Sequence, residues 1–252
     1  KFKIKSLLKK KTIRLLIPFL LIGLFYLIPI RFIANYPPYE STSLIRIIYS
    51  FLTVNDCGHL WFLPTLLGIF IIATVLIRMT KSKQSTLICI VLMLYILSPY
   101  LSSFLLITST KYLFFFFMGY FINQYGKQIF SIKAIYHGLA TLGILLIAYV
   151  LIFHNENRVV TTFTSITIIA SLYYFMPHRT NRFILWLDKN SFGIYLFHSP
   201  LMYIIMNKFS IIAPPAILVP MNLIFGIGGS LIITYFLRAI KCSFVIGEKN
   251  DR

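Results

Sequence analysis

Acidic residues are scarce in this sequence. Six Asp and Glu stand among 252 residues, and charged residues of both signs reach only 12%. Soluble domains carry about 25%. Cysteine is as sparse: Cys57, Cys89 and Cys242 lie in unrelated contexts with no Cys-x-x-Cys spacing. No disulfide framework can be read from them, and no metal site is expected. Cys89, inside an apolar run, reads as a small core residue. No internal repeat is visible, which weighs against an inverted-repeat transporter. The first apolar run follows a basic stretch and has no small-residue cleavage site, so it does not read as a signal peptide. What is abundant is apolar: 58% of residues are hydrophobic and the mean hydropathy is +0.84. A soluble globule has about 45–50% apolar residues. This composition excludes disorder, collagen, a disulfide scaffold and an ordinary soluble domain. It predicts an all-α, polytopic transmembrane helix bundle.

A helix needs about 20 apolar residues to cross a bilayer. Eight candidate runs are present, at residues 13–30, 60–77, 87–107, 112–122, 138–153, 159–176, 192–206 and 216–237. Pro99 and the Ser102–Ser103 pair allow the third and fourth runs to be divided differently. The longest outer loop, residues 34–58, contains Pro37 and Pro38 and is long enough to cap an outward-facing cavity.

The 24 Lys and Arg leave a net charge of +18, and their distribution decides its meaning. The N-terminal segment holds Lys1, Lys3, Lys5, Lys9, Lys10, Lys11 and Arg14. Alternate loops then carry Arg78, Lys81 and Lys83; Lys127 and Lys133; and Arg179, Arg182 and Lys189, before a tail with Arg238, Lys241, Lys249 and Arg252. The intervening loops are poor in cations and hold Glu40, Asp56 and Glu156. This is the positive-inside pattern for eight spans with both ends cytoplasmic, in a plasma or inner membrane. No single basic face with interleaved aromatics emerges, so nucleic acid is not an expected partner. The lipid bilayer is.

Polar groups inside spans are costly and often mark sites. His198 lies in the seventh run, where Ser191, Tyr195 and His198 share one helical face. Pro200 cannot donate to the carbonyl of Leu196, which frees an acceptor beside His198. His198 reads either as a general base or substrate hydrogen-bonding group, or as a buried His satisfied by a neighbouring helix. His59 heads the second run, three residues after Asp56, which is placed to orient its imidazole. It is expected at the outer surface, with Trp61 in the aromatic belt. The alternative is a Trp anchor with an incidental His. His198 would stand only about 9 Å above the inner end of its span. The two histidines therefore fall in opposite leaflets, which argues against a His59–His198 dyad.

Three further features stand out, two of them with two readings each. Thr164, Thr167, Ser171 and Tyr174 form a stripe that faces either a water-filled cavity or another helix. Gly226-x-x-x-Ser230, with Gly228 and Gly229, reads as a close-packing surface. Lys11 and Arg14 are positive-inside anchors that snorkel to headgroups, or a pair that meets the phosphates of an anionic cytosolic ligand.

Three segments taken together go further. Lys9-Lys-Lys-Thr-Ile-Arg-Leu-Leu-Ile-Pro18, Gly58-His-Leu-Trp-Phe-Leu-Pro64 and Ser191-Phe-Gly-Ile-Tyr-Leu-Phe-His-Ser-Pro-Leu201 resemble, in order, motifs of the acyltransferase-3 family. Phe117-Met-Gly-Tyr120 resembles its short central helix. The resemblance covers essentially the whole chain. It implies an integral membrane O-acyltransferase that moves an acyl group, usually acetyl, from cytosolic acyl-CoA to a sugar hydroxyl of an envelope polysaccharide. Lys11 and Arg14 stand where the family has an R-x-x-R-like pair and would hold the CoA phosphates. His59 and Trp61 would line the outer acceptor end, and Tyr195 with His198 the inner passage. His59, His198 and Tyr195 are thus the candidate catalytic residues. A base to deprotonate the hydroxyl and donors for the developing oxyanion are what the chemistry requires. Ser191, Ser199 and the Thr stripe also offer hydroxyls for a covalent acyl-enzyme.

One departure stands out. The family's first helix carries Arg or Lys followed eleven residues later by His, and its core has ten helices. The first span here resembles the family's third helix, so the sequence reads as truncated by two N-terminal helices. As a complete product it is expected to have little or no activity. Two other readings fit the same polar spans: a transporter or flippase for a glycan or small anion, and a non-catalytic assembly subunit packed through its glycine-rich last helix.

Overall fold

The computed structural model describes residues 4–80, 83–129, 138, 142–145, 147, 149, 158–175, 181–210 and 212–248. Among the described residues every regular element is helical. The chain divides into two units, Lys1–Leu113 with Arg182–Arg252, and Phe114–Asn181. The first opens with α1 (Ile4–Ile22), a π turn (Gly23–Leu27) and α2 (Ile28–Ile33). Two short helices follow, α3 (Pro37–Glu40) and α4 (Leu44–Leu52), and a 3-10 turn (Gly58–Trp61) leads into α5 (Phe62–Met79). Next come α6 (Gln84–Leu97), a 3-10 turn (Ser98–Tyr100) and α7 (Phe104–Ile129), whose later part belongs to the second unit together with α8 (Arg158–Phe175). The first unit resumes with α9 (Arg182–Phe209), α10 (Pro215–Ala239) and a 3-10 turn (Ser243–Ile246).

Four helices are long and apolar enough to cross a membrane: Leu8–Ile33, Gly58–Met79, Phe104–Tyr125 and Pro215–Ala239. They contain the predicted first, second and last spans; the expected count of eight is not reached among the described residues. The predicted third and fourth spans are divided differently. Pro99 lies in the 3-10 turn, Leu101 is extended, and the new helix starts at Phe104, so the break falls before residue 104 rather than at 108–111. The segment expected to be a loop is helical, and its hydroxyls are satisfied by the backbone one turn back. Thr108 Oγ1 donates to Phe104 O at 2.8 Å and Thr110 Oγ1 to Leu106 O at 2.7 Å. Thr65 and Thr108 then join α5 to α7 through hydroxyls 3.0 Å apart. Cys89 on α6 is exposed, not buried as its apolar run suggested. Much of the predicted fifth span lies outside the described residues. In the second unit, Thr164 Oγ1 donates to Val160 O and Thr167 Oγ1 to Phe163 O, and Gly143 packs on Thr167. That is the packing reading of the stripe; the side chains of Ser171 and Tyr174 lie outside the described residues.

The outer loop is the element that most departs from expectation. It does not cap the bundle but folds back into it. Phe51, at the end of α4, stacks on Phe19 of α1 with ring centroids 4.6 Å apart. Phe19 lies fourteen residues before Ile33, about 21 Å along the helix. Gly23 makes this possible, because a Cβ there would overlap the Phe51 ring. Irregular backbone at such depth is tolerated only where protein covers it. Val54 and Cys57 in the returning stretch are accordingly buried, while Ile45 and Tyr49 on the opposite face of α4 are exposed.

The last two helices pack closely, as the small residues of the final span predicted. Gly226 faces Met202 and the His198 Cβ, Gly229 faces Leu201, and a Cβ at Gly193 would overlap Thr234. Gly228 meets nothing within 4 Å and takes no part. This contact fixes α9, the helix that carries Tyr195 and His198.

Candidate active site

The turn Gly58–Trp61 carries His59 into the bundle, not to its outer surface. Its seat is built from below by Arg31. This guanidinium is 2% exposed, pairs with Asp56 Oδ1 at 2.8 Å and donates to the Tyr39 hydroxyl at 3.2 Å. It also lies over the Tyr36 ring, 4.5 Å from the centroid. Burial pushes the Tyr39 phenol up, so it meets Arg31 as a neutral acceptor. Gly58 has φ +52°, and a Cβ there would press on Arg31 Nη2 at 2.6 Å. Asp56 therefore pairs with the Arg31 guanidinium, not with the imidazole it was expected to orient.

Two hydrogen bonds then tie His59 to α9. Tyr195 Oη donates to His59 O at 2.6 Å, and His59 Nε2 lies 3.0 Å from Leu196 O. A carbonyl only accepts, so Nε2 carries the hydrogen, and in the neutral ring Nδ1 holds a lone pair. That Nδ1 is buried without a hydrogen-bond partner. Leu196 O is the acceptor that Pro200 was predicted to free. His198 Nδ1 is 2.9 Å from both Ile194 O and Tyr195 O, so it too is a donor and Nε2 holds the lone pair.

The two imidazoles stand 5.3 Å apart between ring centroids, tilted by 70°. This corrects the expectation that they occupy opposite leaflets. The physical reasons are two. Helix α9 begins at Arg182, ten residues before the predicted span, so His198 is about 24 Å from its start rather than 9 Å. The loop before His59 is re-entrant, so His59 is not held at the surface. The separate assignments of an outer end to His59 and an inner passage to Tyr195 and His198 collapse into one cluster. Trp61 packs against Tyr112 and Phe104 of α7, with centroids 5.5 and 6.4 Å away. Tyr195, its hydroxyl committed to His59 O, positions the turn.

A second feature lies at the other end of α1. A cavity of about 620 Å³ is lined by Lys10, Ile13, Arg14 and Ile17, by Lys189 of α9, and by Phe244, Gly247 and Glu248 of the C-terminal turn. Gly247 has φ +67° and abuts the Arg14 carbonyl, where no Cβ fits. Arg238 holds that turn in place. It binds Glu248 through Nη2 at 2.6 Å and Nε at 2.9 Å, and reaches Asn190 Oδ1 at 2.7 Å. Three cations thus face one carboxylate that is already paired. Of the predicted basic pair, Arg14 lines the cavity, but Lys11 lies over the Phe70 ring at 4.9 Å. Lys10, one helical turn from Arg14, takes its place. Lys189 was missed because nothing in the sequence marks it apart from the other cations of its loop.

A family-wide sequence profile described as "Acyltransferase domain" (Acyl_transf_3) matches residues 1–239. No curated protein and no solved structure matches the chain. The profile takes in both histidines and the α1 cations, and this multi-pass membrane chain belongs to the acyltransferase-3 family, which makes it an acyltransferase.

Proposed function

We propose that the chain is a membrane O-acyltransferase that moves an acyl group, acetyl foremost, from acyl-CoA to a sugar hydroxyl of a cell-envelope polysaccharide. The observation that carries this reading is the histidine pair. Each ring donates one N–H to a backbone carbonyl and keeps the other nitrogen as an acceptor, so the pair accepts a proton from an incoming hydroxyl. That hydroxyl oxygen attacks the thioester carbonyl, the C–S bond breaks, and the proton leaves with the thiolate as CoA thiol. Lys10, Arg14 and Lys189 would hold the donor's phosphates, and Arg14 stands twelve residues before Tyr26 of the π turn, about 18 Å along the continuous helical stretch. Tyr26 Oη reaches Phe197 O at 3.3 Å, level with the histidines. An elongated donor with phosphates at one end and a thioester at the other fits that separation. The cavity would then face the cytosol, with both termini on that side of the plasma or inner membrane. The family membership favours this enzyme over the transporter and assembly-subunit readings.

The test uses membranes from cells expressing the protein from its native gene, supplied with radiolabelled acetyl-CoA. Reversing Lys10 and Arg14 together to Glu is expected to raise KM for the donor at least about a hundredfold, since each charge-assisted phosphate contact contributes roughly 1.5–3 kcal/mol. The rate at saturating donor should change little. An unchanged KM at equal expression removes the cavity from donor binding.

A further inference from the structure

We propose that Pro200 is a positioning residue for acyl transfer: by withholding a backbone N–H from Leu196 O, it leaves that carbonyl to His59 and selects the tautomer whose basic nitrogen is Nδ1. The inference rests on the reading of the histidine pair as the base.

In an uninterrupted α-helix the N–H of residue 200 would bond the carbonyl of residue 196. Pro200 lies inside α9 and has no N–H. A buried carbonyl left open is costly, so it needs a donor from elsewhere. The donor is His59 Nε2, 137 residues away in sequence and 3.0 Å away in space. The opposite tautomer would set a ring lone pair against the carbonyl lone pairs. The turn's second link, from Tyr195 Oη to His59 O, holds the backbone but leaves the ring free to choose. Among the described residues, the Leu196 contact is the hydrogen bond that distinguishes the two ring nitrogens. The nitrogen it leaves bare, Nδ1, is buried and has no partner among the described residues. An unpartnered buried acceptor is retained where a donor arrives from a ligand. The proton that arrives in this reaction is the acceptor hydroxyl's.

Pro200 is itself buried and offers no polar group of its own, so it acts through His59 and is a positioning residue. Two variants separate its missing N–H from its ring. Pro200→Ala restores the N–H. Lactic acid placed at position 200 by nonsense suppression has alanine's side chain but an ester oxygen in place of that N–H.

Solid-state NMR of 15N-histidine-labelled protein in membranes reads the tautomer, with His59 assigned among the five histidines by its loss in His59→Gln. The wild type should show a protonated Nε2 and a bare Nδ1 at His59. Pro200→Ala should mix or invert that pattern and slow transfer at least about tenfold. The lactic acid variant should return both to wild type. An unchanged His59 signature in Pro200→Ala overturns the proposal, as does equal loss in both variants, which would place the effect in the ring. A changed tautomer with an unchanged rate would leave the tautomeric role standing and refute His59 as the base.

Discussion

Replacing His59 with glutamine should lower acyl transfer by a factor of about 10² to 10⁴, the usual contribution of a positioned general base. Glutamine is the informative choice because its amide nitrogen still reaches toward Leu196 O and its length approximates the imidazole. The turn keeps its seat on Arg31 and its bond from Tyr195 Oη, so expression and folding should hold. What disappears is the basic nitrogen, because an amide oxygen accepts a hydrogen bond but does not take up the proton. His198→Gln should cost a similar factor, since its Nδ1 is already committed to two carbonyls and only Nε2 keeps a lone pair. The double variant should be little worse than either single one, because groups that act as a unit are strongly non-additive. Initial rates with labelled acetyl-CoA, normalised to protein in the membrane, decide it. Additive losses would separate the two rings into independent roles.

The largest expected effect on stability comes from Asp56→Ala. It removes the counter-charge of a guanidinium that is 2% exposed, while Asp56 itself is 34% exposed. Breaking a buried pair from one side costs roughly 3–5 kcal/mol, and the partial exposure of Asp56 places this case at the lower end. For a chain of this size the melting temperature in detergent should fall by about 6–12 °C. Removing the charge as well, in Asp56→Ala with Arg31→Met, should recover part of that loss, because no uncompensated cation remains. Since Arg31 also supports Gly58, Asp56→Ala should slow transfer more than its lower melting point explains at a temperature where it stays folded. A melting point within 2 °C of wild type would show that the Tyr36, Tyr39 and Tyr203 rings suffice to hold Arg31.

Much of this was legible in residue patterns, and what was not has identifiable causes. The apolar runs placed α1, α5 and α10, because length and hydropathy alone decide whether a helix suits a bilayer. Pro200 announced a free carbonyl at Leu196, since a missing N–H is a property of the residue type. Its recipient was invisible, because His59 reaches it only through tertiary packing. The depth of His59 was misjudged for a related reason. Hydropathy locates spans but does not distinguish a loop lying on a membrane from one that folds back, and the deciding feature was a fit between Gly23 and Phe51. His198 was placed too near an end because charged Asp188 and Lys189 and polar Asn190 masked ten residues of continuous helix. Lys11 was favoured over Lys10 by motif spacing, whereas the helix turns Lys11 toward Phe70.

The meeting of His59 and His198 is the claim on which the proposed chemistry depends. It is tested most directly by placing cysteines at 59 and 198 in a chain whose Cys57, Cys89 and Cys242 are serine, and treating native membranes with a short bifunctional thiol reagent. The expected product is an intramolecular crosslink between positions 59 and 198, with control pairs 59–206 and 70–198 left uncrosslinked. Separate single adducts at 59 and 198, with no crosslink, would return the two residues to opposite leaflets and contradict a shared site.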